Sequence, residues 1–294
     1  MRRLLVLGLG YSGQAVARRA RRRGWDVAGT ARDPARLPSL PGIETLAFAD
    51  AGAAIAAASH IAVTAAPAGP GDPVLAAHGA AIGRALAAGT LRWVGYVSTT
   101  GVYGDRGGGW VDEATPPAPT QPRSRRRVAA EEQWRAALAG RAALDIARAG
   151  GIYGPGRSVI DELREGTARR VVKAGHAFSR IHRDDIAVAL CAAMEQVLPP
   201  AARILHLVDD EAAESAAVVE GAAAMLGVTP PPALPFAEAK ARMSEMGLSF
   251  WSENRRVANA ATKAALGISW LYPSWREGLA GILREERGER FGEQ

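Results

Sequence analysis

Gly8, Gly10 and Gly13 form a Gly-x-Gly-x-x-Gly pattern between the apolar run Leu4 to Leu7 and a helical stretch over Gln14 to Arg22. No other feature restricts the chain as much as this order of strand, glycine turn and helix. The run suits a parallel strand buried on both faces, and Val16 and Ala20 lie one turn apart on the helix. In such a unit the first glycine permits a tight turn. The second lets backbone approach a pyrophosphate, and the third lets helix and strand pack closely. The helix start adds free N–H groups and the positive end of its dipole. In a chain with 33 glycines the pattern alone could arise by chance, so its placement between strand and helix carries the argument. Gly8, Gly10, Tyr11, Ser12 and Gly13 are therefore expected to hold a dinucleotide, with Ala65, Ala66 and Pro67 bordering it after the fourth strand.

The second strand, Trp25 to Thr30, ends where an acidic residue would bind a ribose 2'-hydroxyl in an NAD enzyme. That position holds Thr30, and Arg32 follows, where a guanidinium can pair with the 2'-phosphate of NADP. NADP is thus expected over NAD, the alternative being a solvated arginine in an arginine-rich chain.

Five more strand-like runs, Ile43 to Phe48, Ile61 to Ala65, Trp93 to Ser98, Leu144 to Arg148 and Arg203 to Val208, follow along the chain. Among them lie helical stretches at Ala51 to Ala58, Pro73 to Ala88, Ala129 to Leu138, Arg183 to Val197 and Ser215 to Leu226. The alternation predicts an α/β, Rossmann-type doubly wound parallel sheet with ligands at the carboxyl ends of its strands. A nucleotide-binding domain is placed at residues 1–150, with 183–208 interleaved. A smaller, mostly helical substrate domain is placed at 151–182 and 209–294, and TPPPALP reads as a linker or rigid turn.

A length of 294 residues with 48% hydrophobic residues is enough to bury one large core or a large and a small one. The single cysteine, Cys191, falls in an apolar helical run and excludes internal disulfides, and the five histidines lack partners at metal-ligand spacing. MRRLLVLGLG resembles a secretion signal but is short and broken by glycine, so it reads as the first strand of a cytoplasmic protein. No run is long enough to span a membrane. The formal charge of +6 raises the question of nucleic acid, but the dense clusters Arg18 to Arg23 and Arg123 to Arg127 fall on helices without any nucleic-acid motif. No nucleic-acid or membrane partner is expected; a small-molecule substrate is.

The chain resembles the extended short-chain dehydrogenases/reductases, the NAD-dependent epimerase/dehydratase group. The resemblance rests on GLGYSG, VSTTGVYGD, Glu113 with Pro116 and Pro119, ARAGGIYGPGR, RIHRDDIA and HLVDDE. GDPVL and the closing NRRVANAATKAALGISWLYPSWREGL are similar to an atypical branch typified by bacterial YeeZ-like proteins. The resemblance implies a Rossmann fold, a nicotinamide dinucleotide and pairing into a homodimer.

It also exposes a departure. Family members carry a Ser or Thr after the fifth strand, then a Tyr-x-x-x-Lys pair with a glutamate four residues further on. Reading back from Glu131, the lysine position falls on Arg127 and the tyrosine position on Arg123; the hydroxyl position falls on Thr99. The family tyrosine moves a proton at a carbonyl oxygen, which a permanently charged guanidinium cannot do. Arg123 could stabilise negative charge and Arg127 could bind a ribose or phosphate; equally, both could be the charged outer face of a helix. Tyr103, Tyr153 and His182 are the candidate replacement acids, each with packing or turn formation as the competing role, and Asp184 and Asp185 are expected to cap a helix. Three readings stay open: an NADP(H)-dependent reductase of a carbonyl or imine acting through Thr99, Tyr103, Arg123 and Arg127, a non-catalytic NADP(H)-sensing protein, and a nucleotide-sugar epimerase or dehydratase.

Overall fold

Seven strands associate into one parallel sheet in a computed structural model that describes residues 2–67, 69 and 71–289. The strands are β1 (Arg3–Leu7), β2 (Asp26–Ala31), β3 (Ile43–Ala47), β4 (His60–Val63), β5 (Trp93–Thr99), β6 (Ala143–Ala149) and β7 (Ala202–Leu207). Their order is β7-β6-β5-β4-β1-β2-β3, every neighbour parallel. Strand addition therefore reverses between β1 and β4, and a crevice opens beyond their carboxyl ends.

The helices are α1 (Tyr11–Arg22), α2 (Gly52–Ala57), α3 (Pro73–Ala87), α4 (Pro122–Leu138), α5 (Val159–Arg164) and α6 (Arg183–Met194). They continue as α7 (Ser215–Leu226), α8 (Phe236–Ala239), α9 (Glu245–Trp251), α10 (Ala260–Leu266) and α11 (Trp275–Glu286). Two apolar layers cover the sheet. Val16 and Ala20 of α1 join Ile186 and Leu190 of α6 on one face, while Ile55, Ile82 and Trp134 bring α2, α3 and α4 to the other. A smaller core joins Tyr153 to Ile160 of α5, Val218 and Ala222 of α7, and Trp275 and Leu279 of α11. Cys191 is buried in α6, and burial pushes its thiol up to about 12.

Two segments differ from expectation. The helix carrying Arg123 and Arg127 starts at Pro122, seven residues before Ala129, because proline suits a first helical position where no N–H is needed. The stretch read as a linker contains Ala233–Pro235, which pairs parallel with Arg170–Val172. Among the described residues no helix is long and apolar enough to cross a membrane.

Candidate functional site

Gly8 turns the chain off β1 with φ +112°, and a Cβ there would lie 2.9 Å from Thr64 Oγ1, whose hydroxyl donates to the Gly8 carbonyl. At Gly13 a Cβ would overlap that same carbonyl oxygen. Gly10 is different: a Cβ would meet no protein atom within 4 Å, because the residue faces an open groove of 1040 Å³. The α1 first turn has no acidic residue, and its leading N–H groups lack intrahelical acceptors. Room above Gly10 and free donors at a helix start fit the pyrophosphate of a dinucleotide. Tyr11, Ser12, Ala66 and Pro67 line the same groove, whereas the Ala65 N–H donates to the Leu7 carbonyl at 3.2 Å.

Thr30 is placed elsewhere than at the ribose. It is fully buried, and its hydroxyl accepts from the Gly8 N–H at 3.3 Å, so it supports the glycine turn from below. Arg32 is exposed beyond β2, and Asp33 beside it is turned back to accept from the Ala35 N–H at 3.1 Å.

The middle of the groove is formed by β5 and α4. Thr99 accepts from the Gly101 N–H at 3.1 Å, which leaves its own O–H to donate into the groove. Arg127 also borders it, donating to the Tyr96 hydroxyl at 3.1 Å and the Val97 carbonyl at 2.9 Å. Arg123 lies 3.7 Å over the Phe250 ring, and burial lowers its guanidinium from the usual value. Thr99, Arg123 and Arg127 therefore share one groove. Tyr103 does not join them: it is fully buried behind the site, where Arg148 donates to its hydroxyl at 2.7 Å and its own proton goes to His206 Nε2. Arg148 in turn forms a two-pronged ion pair with buried Glu131, at 2.7 and 3.2 Å, and Ser98 donates to the same carboxylate.

The other candidate acids are also engaged. The Tyr153 ring borders the groove, but its hydroxyl lies against α11 where Gly278 leaves space, and burial raises its pKa. His182 caps α6 by accepting from the Asp184 N–H, and burial pushes its imidazole down to about 4. Asp185 does not cap; it accepts from the Leu271 and Tyr272 N–H groups at 2.6 and 3.1 Å and so ties the segment before α11 to α6. Beyond Thr99 the groove is walled by residues that the motifs did not single out, among them Phe178, Arg180, Phe250, Trp251, Glu253 and Arg255. Arg180 and Arg255 stand in two quoted motifs, RIHRDDIA and NRRVAN, but nothing in one sequence shows which side of a strand faces a cavity.

A conserved protein of unknown function from Silicibacter pomeroyi is 40% identical, with a TM-score of 0.89 over 97% of this chain and 99% of that one. Protein YeeZ from Escherichia coli is 30% identical over 204 residues, which span 65% of this chain and 72% of YeeZ. The chain belongs to the YeeZ-like family, with the fold of the extended short-chain dehydrogenases/reductases. A Streptomyces 3-diazoavenalumate denitrifying reductase is 34% identical over 142 residues, 46% of this chain, and the match spans 45% of that reductase's own length. The fold is also that of MoeE5, solved with UDP-glucuronic acid and NAD (21% identity, TM-score 0.77), and of human SDR39U1, solved with NADPH (20%, 0.72). No protein-family model matches the chain.

For this YeeZ-like protein the buried carboxyls predict an unusual pH dependence of stability. Burial pushes Asp185 up to about 7 and Asp209 up to about 8. Each is protonated in the folded chain and ionised in the unfolded one from about pH 4 up to its folded value, so stability falls as pH rises through that window. His60 and His182, pushed down by burial to about 4, act with the opposite sign but only below their unfolded value of about 6.5. Between about pH 6.5 and 8, therefore, the unfolding free energy should fall by about 2 kcal/mol. Asp209→Asn should remove most of that fall in denaturant titrations at both pH values; an unchanged slope would assign it to other groups.

Proposed function

We propose that this chain is a cytoplasmic NADP(H)-dependent oxidoreductase that reduces a carbonyl or imine beside Thr99. The observation that carries the reading is the continuity of one groove from the open face of Gly10 to Thr99, Arg127 and Arg123. The α1 first turn and Gly10 would hold the pyrophosphate, and Arg32 would pair with a 2'-phosphate. When bound, a reduced nicotinamide supplies a hydride. Thr99 donates its O–H toward the acceptor's oxygen or nitrogen, and Arg123 offers a fixed positive charge to the substrate in the same groove without giving up a proton. The proton then comes from water in the groove. The relative named as a reductase, of a diazo compound, supports a reductive activity in general.

NADPH consumption with a panel of aldehydes, ketones and imines tests turnover. NADPH should also bind roughly tenfold to a hundredfold more tightly than NADH, since a charge-assisted phosphate contact contributes about 1.5 to 3 kcal/mol. Arg32→Ala should erase most of that preference. Equal affinities in the unmodified protein, read by calorimetry at one salt concentration, would return the cofactor to NAD.

The guanidinium at position 123 favours a second reading, an NADP(H)-sensing protein without turnover, which binding in the absence of any NADPH consumption would support. A nucleotide-sugar epimerase or dehydratase matches ligands of fold relatives such as MoeE5, but such chemistry needs proton removal that Arg123 does not provide. An inert response to UDP-, GDP- and dTDP-sugars would set it aside.

A further inference from the structure

The end of the groove bounded by α4, Phe178 and the α9 segment carries more positive charge than negative. Among the described residues the Arg123 side chain makes no hydrogen bond or ion pair; its guanidinium carbon stands 3.7 Å over the centre of the Phe250 ring. Glu253 attracts it, but that carboxylate already accepts from Arg255 at 2.9 Å and from the Thr120 hydroxyl. Arg255, also in the groove, repels Arg123. Two guanidinium groups thus share one carboxylate, which leaves one positive charge in excess and the donors of Arg123 unspent. Arg180 adds a third cation to the lining, donating through Nη1 to the Phe178 and Ala213 carbonyls at 2.9 and 3.0 Å.

The shape of an anion that would answer this charge is restricted. A guanidinium laid flat on an aromatic ring is pre-organised as a fork, and the planar carboxylate matches that fork with two parallel hydrogen bonds. Phe178 and the edge of Trp251, 5.0 Å apart, give the same end apolar surface that a flat ring can pack against, with Trp251 held in place by the stacked rings of His176 and Phe236. Arg255 is already taken up by Glu253 and the Gly104 carbonyl, and Arg180 by two carbonyls, so the fork of Arg123 is the set of donors left unspent; one planar carboxylate fills it, whereas a diphosphate would need further free donors beside Glu253.

We infer that this end of the groove receives a monoanionic organic carboxylate on a flat aromatic or conjugated frame, its carboxylate in the fork of Arg123 and its ring against Phe178 and Trp251. The inference rests on the reading that the dinucleotide occupies the glycine end and that reduction takes place beside Thr99. It assigns Arg123 a recognition task at the position where relatives keep a proton donor.

Calorimetry on the full chain tests it, first with NADP+ and then, at saturation, with trans-cinnamate, cinnamamide, UDP or inorganic phosphate. Cinnamate should bind at least about tenfold more tightly than each of the other three. Arg123→Gln should weaken cinnamate roughly tenfold to a hundredfold and leave cinnamamide and NADP+ unchanged, with Arg123→Lys intermediate because it keeps charge without the fork. Cinnamamide equal to cinnamate, tighter binding of UDP or phosphate, or a cinnamate affinity untouched by Arg123→Gln would overturn the inference. An NADP+ step with no discrimination among the probes defeats this inference alone. Failure of NADP+ to bind defeats the oxidoreductase reading, and the four probes titrated without it still decide the carboxylate site.

Discussion

Glu131→Ala should destabilise the protein by about 3 to 5 kcal/mol, because it leaves the Arg148 guanidinium buried without a counter-charge. Both side chains are almost wholly inside, at 0% and 2% exposure, and the pair is two-pronged. Arg148 would retain only its contact with the Tyr103 hydroxyl. The paired replacement Glu131→Leu with Arg148→Met should cost much less, since it removes both charges together. Denaturant unfolding of the three variants checks this; a loss under about 1 kcal/mol for Glu131→Ala would mean that water or rearrangement satisfies Arg148. The pair joins Arg148 of β6 to Glu131 of α4, and Ser98 at the end of β5 donates to the same carboxylate, so the same change should loosen the setting of Thr99 and of the two arginines on the helix.

Gly10→Val is expected to lower NADPH affinity at least about a hundredfold while the chain remains folded. The fold should tolerate the change because no protein atom lies within 4 Å of a Cβ at this position and Gly10 has φ −77°, which any residue adopts. The space taken is the space needed by phosphates. Gly13 makes the contrast, since even Gly13→Ala drives a methyl group into the Gly8 carbonyl and should disturb the loop itself. Circular dichroism with a nucleotide titration separates the cases. A folded Gly10→Val protein with undiminished NADPH affinity would place the pyrophosphate elsewhere.

The nucleotide half could be read from sequence because its signals are local. Continuous apolar runs such as Leu4 to Leu7 need two covered faces, and a glycine turn directly after one needs a helix close behind it. Arg123 and Arg127 could be placed in the groove by spacing back from Glu131, about two turns of helix, and Thr99 by its place at the end of the fifth strand. Tyr103 and Thr30 show where spacing stops helping. Both stand at the carboxyl edge of the sheet, but Tyr103 faces Arg148 and His206, and Thr30 faces the underside of the glycine turn. Which way a side chain points depends on partners about 45 to 103 residues away in the case of Tyr103, and no local pattern encodes that. The aromatic and cationic wall was missed for the same reason. It is assembled from short pieces around residues 178, 215, 250 and 275, brought together only by the completed sheet and by the hold of Asp185 on Leu271 and Tyr272.

A tyrosine–lysine pair makes a site respond to acidity, because a phenol whose pKa is lowered by an ammonium changes state near working pH. Arginine at positions 123 and 127 removes that response, since guanidinium groups stay protonated in proteins. The charge that Arg123 and Arg127 offer to this groove is accordingly steady through the mildly acid to neutral range, where a tyrosine–lysine pair would titrate. Ionic strength is what modulates it: Arg123 is only half buried, and at 0.1 M salt screening acts over about 10 Å. An anion held by Arg123, as proposed above, should therefore be released by added salt more than by a change of pH between about 5 and 7.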